Sequence, residues 1–263
     1  MLRSVFTKAL WDQRRAYLGW LIGLAGTTIM YAAFYPMTNT PAMADAMAAY
    51  PQALLEAFAW SDIISPEGYL DSTVFNLLGP VLLIIFAIAA GSAAIAGDEE
   101  AGTLELLIAH PVNRTSVLLQ RAAALTVALF GLGAAVWASL VAIAGPAKLD
   151  IAAGKLAAAS FHLVLLGLLF GALALTVGAL TGRRGIVIGV SASVAVASYL
   201  ANNLATMVDA IAWVQGLSPF FYTTGGQPLR NGVQFGDAAL ILAVTLLLLA
   251  VAVTAFNRRD VAV

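Results

Sequence analysis

Residues able to do chemistry are sparse in this chain, and the charged ones crowd into one short stretch. The 263 residues include 14 Asp and Glu, 13 Lys and Arg, two His and no Cys. Without cysteine neither a disulfide nor a thiolate metal site is available, and His110 and His162 are too far apart in sequence to suggest a shared metal. No grouping of His, Asp, Glu or Ser has catalytic spacing, so no catalytic or metal-ligating residue is assigned. The dense stretch is residues 97–114, which carry Asp98, Glu99, Glu100, Glu105, His110 and Arg114. Thr103 suits the start of a short helix, Leu104, Leu107 and Ile108 give it one apolar face, and Pro111 ends it. Its acidic triplet is either a docking element for a basic partner or a solvated turn.

The elements that must position this stretch are membrane spans. The chain is 61% hydrophobic and 10% charged, with a mean hydropathy of +0.91, whereas soluble domains carry about 25% charged residues. Continuous apolar runs of roughly 20 residues match the length a helix needs to cross a bilayer, and barrel strands would alternate instead. An all-α integral membrane protein with six spans follows, at about 17–35, 73–96, 121–145, 156–181, 186–208 and 237–256. The whole of 1–263 reads as a single transmembrane domain. Residues 1–15, with Arg3 and Lys8 interleaved among apolar positions, read as an N-terminal interfacial helix, and 97–116 as the segment joining spans two and three.

Positive charge sets the orientation. Arg3, Lys8, Arg14, Arg15, Arg114, Arg121, Arg183, Arg184, Arg258 and Arg259 fall on one side of this topology, against Lys148, Lys155 and Arg230 on the other. The positive-inside tendency then places both termini and residues 97–116 in the cytoplasm. The segment 36–71 has five acidic residues and no Lys or Arg, as suits the outer face.

Within the spans the polar residues are few. Gly167, Gly171, Gly178 and Gly182 fall within roughly 60° of one another on a helix and predict a close-packing face. Ser191, Ser198, Asn202 and Thr206 share a face of the fifth span, either as interhelical hydrogen-bond glue or as the lining of a translocation path. No span has a Lys, Arg, Asp or Glu near its middle, and His162, toward the outer end of the fourth span, is the nearest exception; it suits an uncharged hydrogen-bonding role more than a proton relay.

Residues 97–114 also carry a resemblance. Glu100, Gly102, Thr103, Leu104, Glu105, Leu107, Pro111, Val112 and Arg114 stand where the permeases of type-two ABC exporters have Glu-x-Gly-Thr-Leu-Glu-x-Leu followed by Pro-Val-x-Arg. Ser218-Pro219-Phe220, Pro228-Leu229 and the Phe256-x-Arg258-Arg259-Asp260 ending are similar to the same family, which the chain resembles over its whole length. Position 99 departs from it, being Glu where many relatives carry a basic residue.

The resemblance implies that Glu99, Glu100, Gly102, Thr103, Leu104, Glu105, Leu107, Pro111 and Arg114 form a coupling helix docking onto a separate nucleotide-binding ATPase subunit. It further implies a second permease subunit, as homo- or heterodimer, and a path for a drug-, antibiotic- or lipid-like substrate across a bacterial cell membrane. ATP and magnesium would belong to the partner; no cofactor is expected in this chain and no nucleic acid among its ligands. The sequence fits that division, having no Gly-x-x-x-x-Gly-Lys-Ser/Thr loop to hold phosphates. The competing readings are an ion-gradient-driven carrier, with His162 as its sole intramembrane candidate, and a non-transporting membrane scaffold.

Overall fold

The computed structural model describes residues 4–51, 55, 60, 62–104 and 113–259. Six helices in it are long and apolar enough to cross a membrane: α1 (Val5–Thr38), α3 (Pro66–Glu100), α4 (Arg114–Ala144), α5 (Ala153–Thr181), α6 (Arg184–Met207) and α9 (Phe235–Arg258). Short helices α2 (Pro41–Ala48), α7 (Pro219–Thr224) and α8 (Pro228–Asn231) and a 3-10 helix (Asp209–Leu217) fill the connections at one end of the bundle. Among the described residues there is no strand. The chain is an all-α, multi-pass membrane protein.

Local chemistry sets the helix ends. The side chain of Ser4 accepts from the Thr7 amide to start α1, and that of Asn113 from Thr115 to start α4. Ser65 accepts from the Gly68 amide at 3.0 Å, with Pro66 in the first turn, so α3 begins well before the apolar run. Gly182 ends α5 at φ +64, a left-handed conformation, with its N–H bonded to the Gly178 carbonyl at 2.9 Å.

Two helices are longer than the hydropathy suggests. Residues 5–15 are not separated from the first span: α1 is unbroken over 34 residues, about 51 Å, against roughly 30 Å of hydrocarbon. In α3, Asp71, Ser72, Thr73 and Asn76 lower the hydropathy without ending the helix, which passes through two π-helical segments, Asp71–Leu78 and Ala93–Gly97, on either side of a regular α segment, Gly79–Ser92.

Helix α5 is the hub, touching α3, α4, α6, α7, α8 and α9, and most of its residues are buried. Lipid is as apolar as leucine, so helices here associate through close packing and hydrogen bonds more than through the hydrophobic effect. A Cβ on Gly91 would lie 2.8 Å from the Ala174 Cβ, one on Gly171 would lie 2.7 Å from Leu125, and one on Gly133 would run into Val164. A Cβ on Gly167 would lie 3.1 Å from Leu129 of α4, while one on Gly178 would be in ordinary contact at 3.7 Å with Ile95 of α3. Gly19, Gly23, Gly185 and Gly189 instead face open space. Hydrogen bonds add cross-links: the Thr176 hydroxyl lies 2.9 Å from the Leu248 carbonyl of α9, and the Tyr17 hydroxyl of α1 donates to Ala128 of α4 at 3.1 Å. His162 Nε2 accepts from the Gln234 amide at 3.1 Å, tying α5 to the start of α9.

These contacts separate two kinds of glycine. Gly91→Leu is expected to destabilise the purified protein by about 1–3 kcal/mol through overpacking, whereas Gly23→Ala leaves its thermal unfolding temperature unchanged or slightly higher. Thermal unfolding of both variants in one detergent checks this.

Candidate functional site: the acidic turn between the second and third spans

The acidic triplet closes α3 at the arginine-rich end of the bundle, and its three carboxylates point to three different helices. Asp98 pairs with Arg121 of α4 at 2.5 Å. Glu99 pairs with Arg259, just past the end of α9, and the same guanidinium donates to the Gly178 carbonyl of α5 at 3.3 Å. Glu100 Oε1 accepts from the Arg184 backbone N–H at 2.8 Å, supplying from another helix the acceptor that the first turn of α6 needs. The acidic charge is thus engaged within the chain itself.

Burial makes the first two pairs strong constraints. Arg121 is 8% exposed, and the side chains of Glu99 and Arg259 are 11% and 20% exposed. Losing one partner of such a pair strands a charge away from water, at a cost of about 3–5 kcal/mol when burial is complete. Gly182 belongs to the same knot, since a Cβ there would come within 2.6 Å of Glu99 Oε1 and 2.7 Å of Arg259 Nη2. Its glycine is required twice, by a left-handed φ and by lack of room. The glutamate at position 99 has a local reason as well: it faces the arginine at 259.

Arg114, at the start of α4, closes the knot from the other side. Its Nη1 donates to the Arg259 carbonyl at 2.6 Å and the Phe256 carbonyl at 3.3 Å, satisfying acceptors at the end of α9, and its guanidinium sits 5.9 Å from the Phe256 ring centroid. Asn257 donates to the Thr115 hydroxyl at 2.8 Å. Between these anchors the chain turns at Gly102, whose φ of +67 is left-handed, and re-enters helix at Thr103 and Leu104. The Thr103 hydroxyl donates to the Asp98 carbonyl at 3.1 Å, while Leu104 is fully buried. Glu105, Leu107 and Pro111 lie outside the described residues.

At the opposite end a polar cavity of about 530 Å³ opens between α3, α6, α7 and α8, lined by Asp62, Glu67, Asp71, Asn76, Thr206 and Gln227 among others. Arg230 pairs with Asp62 and donates to Ser65 at 3.2 Å at its edge. Of the four stripe residues on α6, Thr206 lines this cavity. Ser191 is fully buried with its hydroxyl unpartnered, the Asn202 Oδ1 is likewise buried without a partner, and Ser198 contributes its carbonyl to the Ser218 hydroxyl at 2.9 Å. Asp71, placed in a loop by hydropathy, is a cavity residue on α3; the Ser65-Pro66 start signal is what marks it as helical.

The partners Arg121, Arg184 and Arg259 were not visible from spacing, because they lie 23 to 160 residues from the triplet. The signal available was electrostatic: an acidic triplet on a face otherwise rich in arginine has partners near at hand.

A bundle of six candidate membrane helices, whose second span ends in a turn fastened to α4, α6 and the end of α9, defines a multi-pass membrane protein. A family model described as "ABC-2 family transporter protein" matches residues 3–261, nearly the whole chain. The chain belongs to the ABC-2 transporter family and is a permease subunit of an ABC transporter, a membership that implies association with an ATPase subunit. No curated protein matches it.

The Glu99 and Arg259 pairing can be measured. Glu99→Gln and Arg259→Gln should each destabilise the protein, and the double variant should cost less than their sum, with a coupling energy of roughly 0.5–3 kcal/mol in a double-mutant cycle of thermal unfolding.

Proposed function

We propose that this chain forms the membrane half of an ATP-driven exporter and carries a hydrophobic or amphipathic substrate, drug-, antibiotic- or lipid-like, across a bacterial cell membrane. A separate nucleotide-binding subunit holds ATP and magnesium, and a second permease subunit completes the path. The arginine-rich end, with both termini, faces the cytoplasm, as the positive-inside tendency requires. Residues 97–116 dock on the ATPase subunit.

The observation that carries this reading is the knot around the acidic triplet. A docking element must pass displacement to the helices that open and close a path, and a loose loop would absorb it. Here the residues just before the segment fasten to α4, α6 and the end of α9 through Asp98, Glu100 and Glu99, and Arg114 just after it fastens to α9 again. Force applied between residues 104 and 113 therefore enters a rigid frame at both ends. Coupling thus resides in the segment and its anchors together, and the power source is in another chain.

Purification of a tagged chain from its native host is expected to bring down an ATP-binding subunit; its consistent absence would count against the reading. Gly102→Pro replaces a φ of +67 with one fixed near −65° and re-aims the segment. The variant should keep its helical content and stability but lose substrate-stimulated ATP hydrolysis in the assembled complex. Wild-type stimulation in that variant would remove the coupling role.

A further inference from the structure

At the arginine-rich end a second cavity, of about 480 Å³, opens between α1, α3 and α4, away from the polar cavity at the opposite end. Its wall is built from alanine: Ala90 and Ala94 on α3, Ala124 and Ala128 on α4. Small side chains on two facing helices leave a channel lined by methyl groups. Along α1 the lining runs from Val5 to Tyr17, about 18 Å of helix. Its mouth is charged, with Lys8, Asp12 and Arg14 on α1, and Asp98 and Arg121 also face it.

The charges do not balance. Lys8 and Asp12 pair at 2.9 Å, and Asp98 and Arg121 pair at 2.5 Å. Arg14 has no carboxylate partner among the described residues; its guanidinium donates to the Trp11 carbonyl at 2.6 Å and stacks 3.9 Å from the Trp11 ring centroid. Arg121, 8% exposed, keeps a buried Nε without any hydrogen-bond partner. The cavity thus has an apolar body and a mouth with one net positive charge, at the arginine-rich end of the bundle.

We propose that this cavity is a binding site for a phospholipid with an anionic headgroup, drawn from the leaflet at the arginine-rich end. The phosphate sits at the mouth beside Arg14 and Lys8, and part of one acyl chain runs inward along the alanine wall. Several features select this occupant. The volume is in the range of single small-ligand pockets. The apolar wall has nothing to offer a free phosphate. The unbalanced guanidinium disfavours a zwitterionic headgroup relative to an anionic one. An occupied site also has a route to the coupling turn, because Arg121 is shared with Asp98, the first carboxylate of the knot.

The test is native mass spectrometry of the full-length permease, delipidated in detergent and offered phosphatidylglycerol or phosphatidylcholine at equal concentration. The wild type should retain phosphatidylglycerol about tenfold better, the preference expected from one or two basic groups at a headgroup. Lys8→Gln combined with Arg14→Gln should bring that preference to within about twofold, and Ala94→Leu, which fills the groove, should lower retention of both lipids. Should the double variant fail to fold, as judged by thermal unfolding, Ala94→Leu decides alone. Equal retention of the two lipids by the wild type, or unchanged retention in Ala94→Leu, would overturn the proposal. So would displacement of the lipid by millimolar inorganic phosphate, which would make the ligand a free anion.

Discussion

Three consecutive carboxylates at the end of α3, each satisfied by a different helix, are the interaction on which this structure depends. In a protein whose helices are held in lipid by packing and a few hydrogen bonds, the ends are the places where ion pairs are available, since charges there meet water and headgroups. The chain uses one end for this. Asp98, Glu99 and Glu100 fasten α4, the end of α9 and the start of α6 to a single turn, and Arg114 returns the connection from α4 to α9. The opposite end carries a lighter version, in which Arg230 joins the α8 turn to Asp62 and Ser65 ahead of α3.

Between the two ends the bundle is organised around α5. Its glycines admit Leu125 and Leu129 of α4, and Gly91 of α3 leaves no room for a Cβ against Ala174. α6 and α9 lie against this hub, and α1 against α4, with large apolar faces outward, including Ile22, Val196, Leu246 and Leu247. This distribution gives the knot its leverage: the helices it fastens at their ends include α6 and α9, which are packed on one side only.

Much of this was legible in the sequence, for reasons that can be named. Uninterrupted apolar length marks a span whatever its neighbours do, so all six spans could be placed, and the glycine face of α5 follows from helical periodicity. The starts of α1 and α3 were not legible from hydropathy, because Arg14, Arg15 and Asp71 dilute the apolar average without breaking a helix; the capping residues Ser4 and Ser65 were the better guide. The acidic triplet was recognisable as unusual, but the three arginines that meet it within the chain were not. Its partners come from three other parts of the chain, and only folding brings Arg259 to Glu99. For the α6 stripe, shared position on a helical wheel did not imply a shared environment: Thr206 borders a cavity while Ser191 is sealed in the core.

The two π-helical segments of α3 bear on how any relative of this chain is compared with it. Each winds an extra residue into a turn, so each rotates the faces beyond it by about the 100° that one α-helical residue occupies. A helical wheel drawn at constant pitch from Pro66 to Glu100 therefore misassigns faces once it crosses Asp71–Leu78, and again across Ala93–Gly97. The side on which Asp71 meets its cavity and the side on which Asp98 meets Arg121 are related by this path, not by their separation in sequence. An alignment that places a one-residue gap within either segment is recording a change of winding, with the rest of the span left in register.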